Sequence, residues 1–231
     1  MLTEKEKNYY IKKKRALIRQ FDAASTIVKD ILINKLGEEK YNEIIPKARA
    51  DFESLIPQIP YIGGKNNRST DILVSSALVL PFFRALDQEG LTFDEIGEIV
   101  YNMFEVFFKV MPQTEDIFSE EYLNKLREGA KISKLRKYPG DWVYDFVEGD
   151  DVNFTWGTDF HECGVYKFYK RQGLENYMPI VCVSDFAMAQ AYGYGLKRTQ
   201  NIANGAPFCD FRFVKGGTSP RGWPLKNLPE F

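Results

Sequence analysis

Histidine is almost absent from this chain and cysteine is scarce, with one His and three Cys among 231 residues. Neither type occurs in the first 160 positions. That excludes a histidine-led proton shuttle or a Cys/His metal knuckle from more than half of the sequence. A basic excess is also missing: 31 Lys and Arg stand against 32 Asp and Glu, a formal net charge of −1. Nucleic-acid binding calls for such an excess on one face, so no nucleic-acid partner is expected. The longest apolar run, Ala77–Phe83, is far below the roughly 20 residues of a membrane span. The N-terminal MLTEKEKNYYIKKK lacks the apolar centre of a signal peptide. No membrane partner is expected. Three cysteines cannot all pair within one chain, and without an export signal they read as reduced thiols in a cytoplasmic protein. No GxSxG, HExxH, P-loop or Rossmann fingerprint occurs.

Apolar and aromatic residues are plentiful: 44% of the chain is hydrophobic, with 18 Phe and 13 Tyr, enough for a real core. Helical periodicity dominates the first half. Ile11, Leu17, Ile18, Phe21, Ala24, Ile27, Val28, Ile31 and Leu32 recur at three- and four-residue steps, predicting one long helix over 3–35 that Gly37 closes. The basic run Lys12–Arg15 falls on its solvated face. A second helix is expected over 38–55, and a Pro/Gly/Asn-rich loop over 57–67. A third is expected over 69–89, capped by Ser69 or Thr70 and kinked or split by Pro81. Thr92 and Glu95 form a capping box for the next helix, which Pro112 stops. A largely polar helix follows at 119–135.

The texture changes at Tyr138–Gly140. Alternating aromatic and β-branched residues predict strands at 141–148, 196–201 and 208–215. An extended segment at 153–166 runs into a helix that ends near Gly173. Pro179 opens a helix over 180–192. The expected fold class is α+β: a helical N-terminal half, then a small antiparallel sheet with one or two packed helices. The regions are 1–137 and 138–231, read together as one integrated domain. The last dozen residues read as a loose tail.

The chemistry-bearing side chains all lie in the last third. In the 208–215 strand Cys209 shares a face with Phe211 and Phe213, while Asp210 and Arg212 point the other way as a possible surface pair. Cys182 and Asp185 share a face of the helix opened by Pro179, with Cys182 in the first turn, where a thiolate is favoured. Asp185 on an apolar, small-residue face needs a partner, and Arg198 can neutralise it. His161 and Cys163 share a face of their extended segment, and a Cys–His pair is a recurrent way to activate a thiol. Each residue has a structural reading beside the chemical one: a core thiol, a fold-fixing carboxylate, a satisfied imidazole. Three Cys and one His also make a zinc set by type, yet C-x18-C-x26-C is unlike the short spacing of zinc knuckles.

The ordered set Cys163, Gly173–Leu174–Glu175, Pro179, Cys182-Val-Ser-Asp185, Arg198–Thr199, Gly205 and Cys209–Asp210–Phe211 resembles the L-2-amino-thiazoline-4-carboxylic acid hydrolase family. The resemblance covers about 50 residues directly. It implies opening of a C–N bond in a small cyclic amidine or amide, with an aminothiazoline carboxylate giving a carbamoyl-cysteine. Such chemistry needs a nucleophile at an sp2 carbon, an acid for the departing atom and a cation for the carboxylate. The candidate catalytic residues are Cys209, Cys163, Asp185 and His161. The candidate substrate-binding residues are Arg198 as carboxylate clamp, with Thr199, Asn204, Cys182 and Asp210. The sequence does not rank Cys163 against Cys209. The expected partner is a small-molecule substrate, without a cofactor. A non-catalytic small-molecule or metal sensor stands as the alternative, holding zinc or iron on Cys163, Cys182, Cys209 and His161.

Overall fold

The computed structural model describes residues 2–225. The chain divides into two compact units, 1–107 and 108–231. The first is helical. The stretch read as one helix over 3–35 is four: α1 Glu4–Lys7, α2 Tyr9–Lys12, α3 Lys14–Ile27 and α4 Lys29–Leu36. Neither Gly nor Pro marks the breaks. At Asn8, Lys13 and Val28 the backbone turns to ψ 11°, 1° and 4°, so each helix stops for one residue and resumes. Gly37, at φ 87°, ends the series where a Cβ would be strained.

Helix α5, Glu38–Leu55, packs against α3, α4 and α6, the last spanning Ser69–Gln88. At their centre Phe21 stacks on Phe52 and Phe82, with ring centroids 5.4 and 5.5 Å apart. Pro81 does not split α6. Its cap is not Ser69 or Thr70. Asn67 Oδ1 accepts the Ser69 N–H at 2.9 Å, and the Thr70 hydroxyl donates to the Gly64 carbonyl. By length and composition α6 is apolar enough to cross a membrane, more than the run 77–83 suggests. More than half of its residues, among them Leu73, Leu80, Phe83 and Leu86, are buried. Helix α7, Phe93–Val110, starts with the expected box: Glu95 accepts the Thr92 N–H at 2.8 Å, and Thr92 accepts the Glu95 N–H at 3.4 Å.

The second unit is α+β. Helix α8, Glu120–Ser133, is capped by Ser119 and packs on strand β1, Val143–Glu148. The Ser133 hydroxyl accepts the Tyr144 N–H and the Leu126 carbonyl accepts from the Tyr144 hydroxyl, so α8 belongs with the sheet, in the second unit. With β2 Trp156–Glu162, β3 Gly195–Lys197 and β4 Cys209–Val214, β1 forms an antiparallel sheet in the order β1-β2-β4-β3. One face is aromatic: Phe160 stands opposite both Tyr144 and Cys209, and Trp156 opposite Phe213, stacked at 3.9 Å. The other face carries Asp145, Asp159 and Asp210 in a row across three strands. Like charges placed so repel. Each is compensated separately, by Lys134 and His161, by Arg212, and by Thr199 with two backbone N–H groups.

Helix α9, Gly164–Arg171, follows β2 directly. The helix expected over 180–192 is two, α10 Met178–Cys182 and α11 Ser184–Tyr192, separated at Val183. Strand β3 is shorter than expected because Thr199 and Gln200 turn their N–H groups onto the Asp210 carboxylate instead of continuing the ladder. Of the expected tail, Leu225 is buried, and residues 226–231 lie outside the described residues.

Candidate active site

Cys209 begins β4 on the aromatic face and is 7% exposed. Its Sγ accepts the Ile202 N–H at 3.2 Å, which ties the strand to the 3-10 turn Ile202–Asn204. Burial pushes this thiol up to about 12 despite that donor. Cys163 leaves β2 and becomes the N-cap of α9, its Sγ accepting the Tyr166 N–H at 3.4 Å. It keeps a part-exposed surface, yet dense surroundings desolvate the sulfur and raise its pKa; the Tyr166 and Val165 N–H groups and Lys167 oppose the rise. A Cβ at Gly164 would lie 2.5 Å from the Trp142 ring, so only glycine lets α9 start this close to Trp142.

Asp185, in the first turn of α11, pairs with Arg198 at 3.0 Å, as its apolar surroundings require. The burial is unequal: the Arg198 side chain is 1% exposed and that of Asp185 33%. Arg198 also donates Nη2 to the Cys182 carbonyl at 2.9 Å and lies over the Phe186 and Phe211 rings at 5.0 and 4.9 Å. Charges on Asp185 and Cys163 raise the Cys209 pKa and that on Arg198 lowers it, while Asp185 also raises Cys163. Burial is the largest cause for both thiols and favours their protonated forms. Cys182 meets Arg198 through its carbonyl. It ends the short α10 rather than opening a helix, so the dipole argument for a Cys182 thiolate does not apply.

Other candidates stand apart or serve as framework. His161 lies on the acidic face, with Nε2 2.8 Å from Asp145 Oδ2 and its ring beside Phe208. Cys163, one residue past β2, caps α9 through its Sγ. Asp210 does not pair with Arg212, which bonds Asp159 at 2.7 Å. Instead Asp210 is buried and accepts from the Thr199 and Gln200 N–H groups, each at 2.8 Å, and from the Thr199 hydroxyl at 2.6 Å. Asn204 donates its N–H to Asn201. Among the described residues no group of three or more His, Cys, Asp and Glu is arranged to hold a metal ion.

Two residues near the thiols escape the sequence reading. Lys167, one turn along α9 from Cys163, donates to the Asp141 carbonyl at 2.7 Å and pairs with Glu162, and burial lowers its pKa. The i, i+4 spacing from Cys163 is the signal that points to it. Asn201, fully buried, caps the 202–204 turn through Oδ1. Its place just before a short turn is an N-cap signal, and nothing in the sequence marks its burial.

The fold is α+β, with Cys209 at the start of the interior strand β4 and Cys163 just past the end of β2. The chain belongs to the L-2-amino-thiazoline-4-carboxylic acid hydrolase family, whose model matches residues 71–213, well over half its length. No curated protein and no solved structure matches it.

Proposed function

We propose that this protein is a hydrolase that opens a small cyclic amidine or amide at the sp2 carbon between its heteroatoms. Family membership supports the reaction class. The observation that carries the reading is the Asp185–Arg198 pair, with Arg198 lying over Phe211 on the strand that Cys209 begins. A protonated amidine is cationic, and Asp185 attracts it. Once bound, its charge offsets the effect of Asp185 and lowers both thiols toward ionisation. A neutral cyclic amide supplies no such charge, so amidines are the better substrates.

In the reaction a thiol attacks the ring carbon and its proton passes to the ring atom that leaves. Water then displaces the enzyme sulfur, which recovers a proton, and the net change is the addition of one water. In a cyclic amide the bond that opens is C–N. An aminothiazoline carboxylate offers C–N and C–S at the same carbon. A thiolate can depart without first taking a proton, whereas the ring nitrogen must be protonated before its bond to carbon breaks. The C–S bond therefore opens and the carbamoyl group stays on nitrogen. Arg198, held by Asp185 and the Cys182 carbonyl, orients the carboxylate of Asp185 rather than clamping that of the substrate. Thr199, Asp210 and Asn204 frame the Cys209 turn.

The test is incubation of the purified protein with aminothiazoline carboxylate and, separately, with cyclic amides, followed by mass spectrometry and thiol titration. Each expected product is heavier by one water; the one from aminothiazoline carboxylate carries a new thiol and the one from a cyclic amide a new amine. Failure to open any ring of either class overturns the proposal.

A further inference from the structure

We propose that Asn201 is a further catalytic residue, its Nδ2 donating a hydrogen bond to the atom that gains electron density when the ring carbon is attacked beside Cys209. The inference rests on the hydrolase reading above. Asn201 is 0% exposed. Its orientation is fixed, because Oδ1 accepts the Ala203 N–H at 2.6 Å and the Asn204 N–H at 3.3 Å, which only the oxygen can do. The NH2 group is therefore the other end, and among the described residues Nδ2 has no hydrogen-bond partner although it is buried. Buried donors are almost always satisfied, and the exceptions mark functional positions or bound groups.

Its place in the chain says which group. The next residue, Ile202, donates its N–H to Cys209 Sγ at 3.2 Å, so the amide sits one residue from the contact that holds the thiol. The two residues before it are fastened to Asp210, so both ends of the segment are anchored at the start of β4. The donor is thus pre-positioned and desolvated, the condition in which a neutral dipole contributes most to a transition state. Its chemistry suits the substrate class. Attack on an amidine carbon breaks the C=N π bond and places the electron pair on nitrogen, and attack on an amide places it on oxygen. Either atom becomes a stronger acceptor. A neutral donor serves it without repelling a cationic ring, as a second buried cation would.

Asn201→Asp and Asn201→Ser both keep an oxygen to cap the turn and remove the NH2. With aminothiazoline carboxylate we expect kcat to fall about 100- to 1000-fold, with KM within about twofold and Tm within a few degrees of the parent. A loss of kcat only in step with Tm, or unchanged kcat in a folded variant, overturns the inference and leaves the hydrolase reading intact. A second readout needs no variant beyond an assignment: the Asn201 side-chain NH2 resonance in 15N spectra should shift on addition of N-carbamoyl-cysteine. An unmoved resonance in a protein that binds this product also overturns it. A parent protein that neither turns over nor binds these compounds overturns the hydrolase reading, and this inference with it.

Discussion

Asp185 and Asp210 differ in what their removal exposes. Asp185→Ala removes the carboxylate that pairs with the buried Arg198 guanidinium. Because Asp185 is part-exposed, the cost is discounted to about 2–3 kcal/mol from that of a fully buried pair. Asp210→Ala strands the Thr199 and Gln200 N–H groups and a hydroxyl, at a similar cost of about 2–4 kcal/mol. Chemical denaturation should therefore find both variants destabilised, with Asp210→Ala not the milder one that a surface pair with Arg212 implies. At this scale the sequence shows residue types and faces. The pairing of Asp185 with Arg198 was legible because a carboxylate on an apolar helix face needs a cation. The role of Asp210 was not, because a backbone that bends to meet a carboxylate leaves no pattern in the side chains.

At the scale of elements, periodicity and caps carried most of the information. The bounds of α5 and the Thr92–Glu95 box followed directly from them, and the alternation of Cys209, Phe211 and Phe213 gave the inward face of β4. The breaks at Asn8, Lys13, Val28 and Val183 did not, since each is a one-residue change in ψ without Gly or Pro. The Val183 break separates Cys182 from the helix that carries Asp185. The passage from β2 into a helix was legible, but not its position: the extended segment ends at Cys163, which caps α9, rather than at Tyr166. Gly164 is what permits that passage. Gly164→Ala should push α9 off Trp142, cost about 1–3 kcal/mol and displace the Cys163 sulfur. A melting curve with ring-opening activity measured on the same sample checks it: activity should fall by more than the unfolded fraction explains.

For the whole molecule, the second unit stores a dependence on alkaline pH. Cys209 is raised from 9.0 to about 12, so the folded state keeps a proton that the unfolded chain loses above about pH 9. A raised pKa means that the stabilisation is complete below 9 and is lost as pH climbs toward 12. Burial of Tyr169 and Tyr194 raises their pKa values and adds the same sign. Unfolding free energy should drop by about 1.4 kcal/mol per pH unit for this thiol between pH 9 and 11, and Cys209→Ala should flatten the slope by that amount. The α+β class and the confinement of the thiols to one region were legible in composition and texture. The attachment of α8 to the sheet was not, because the Ser133 and Leu126 bonds that tie it to Tyr144 are tertiary. The most direct test of the account is a comparison of Cys163→Ser and Cys209→Ser with the parent, with aminothiazoline carboxylate turnover and Tm recorded together. The account predicts that at least one variant loses activity by 100-fold or more while its Tm stays within a few degrees, since serine fits the space but remains protonated. Two variants that are both active and clearly destabilised would contradict it and leave the thiols as packing.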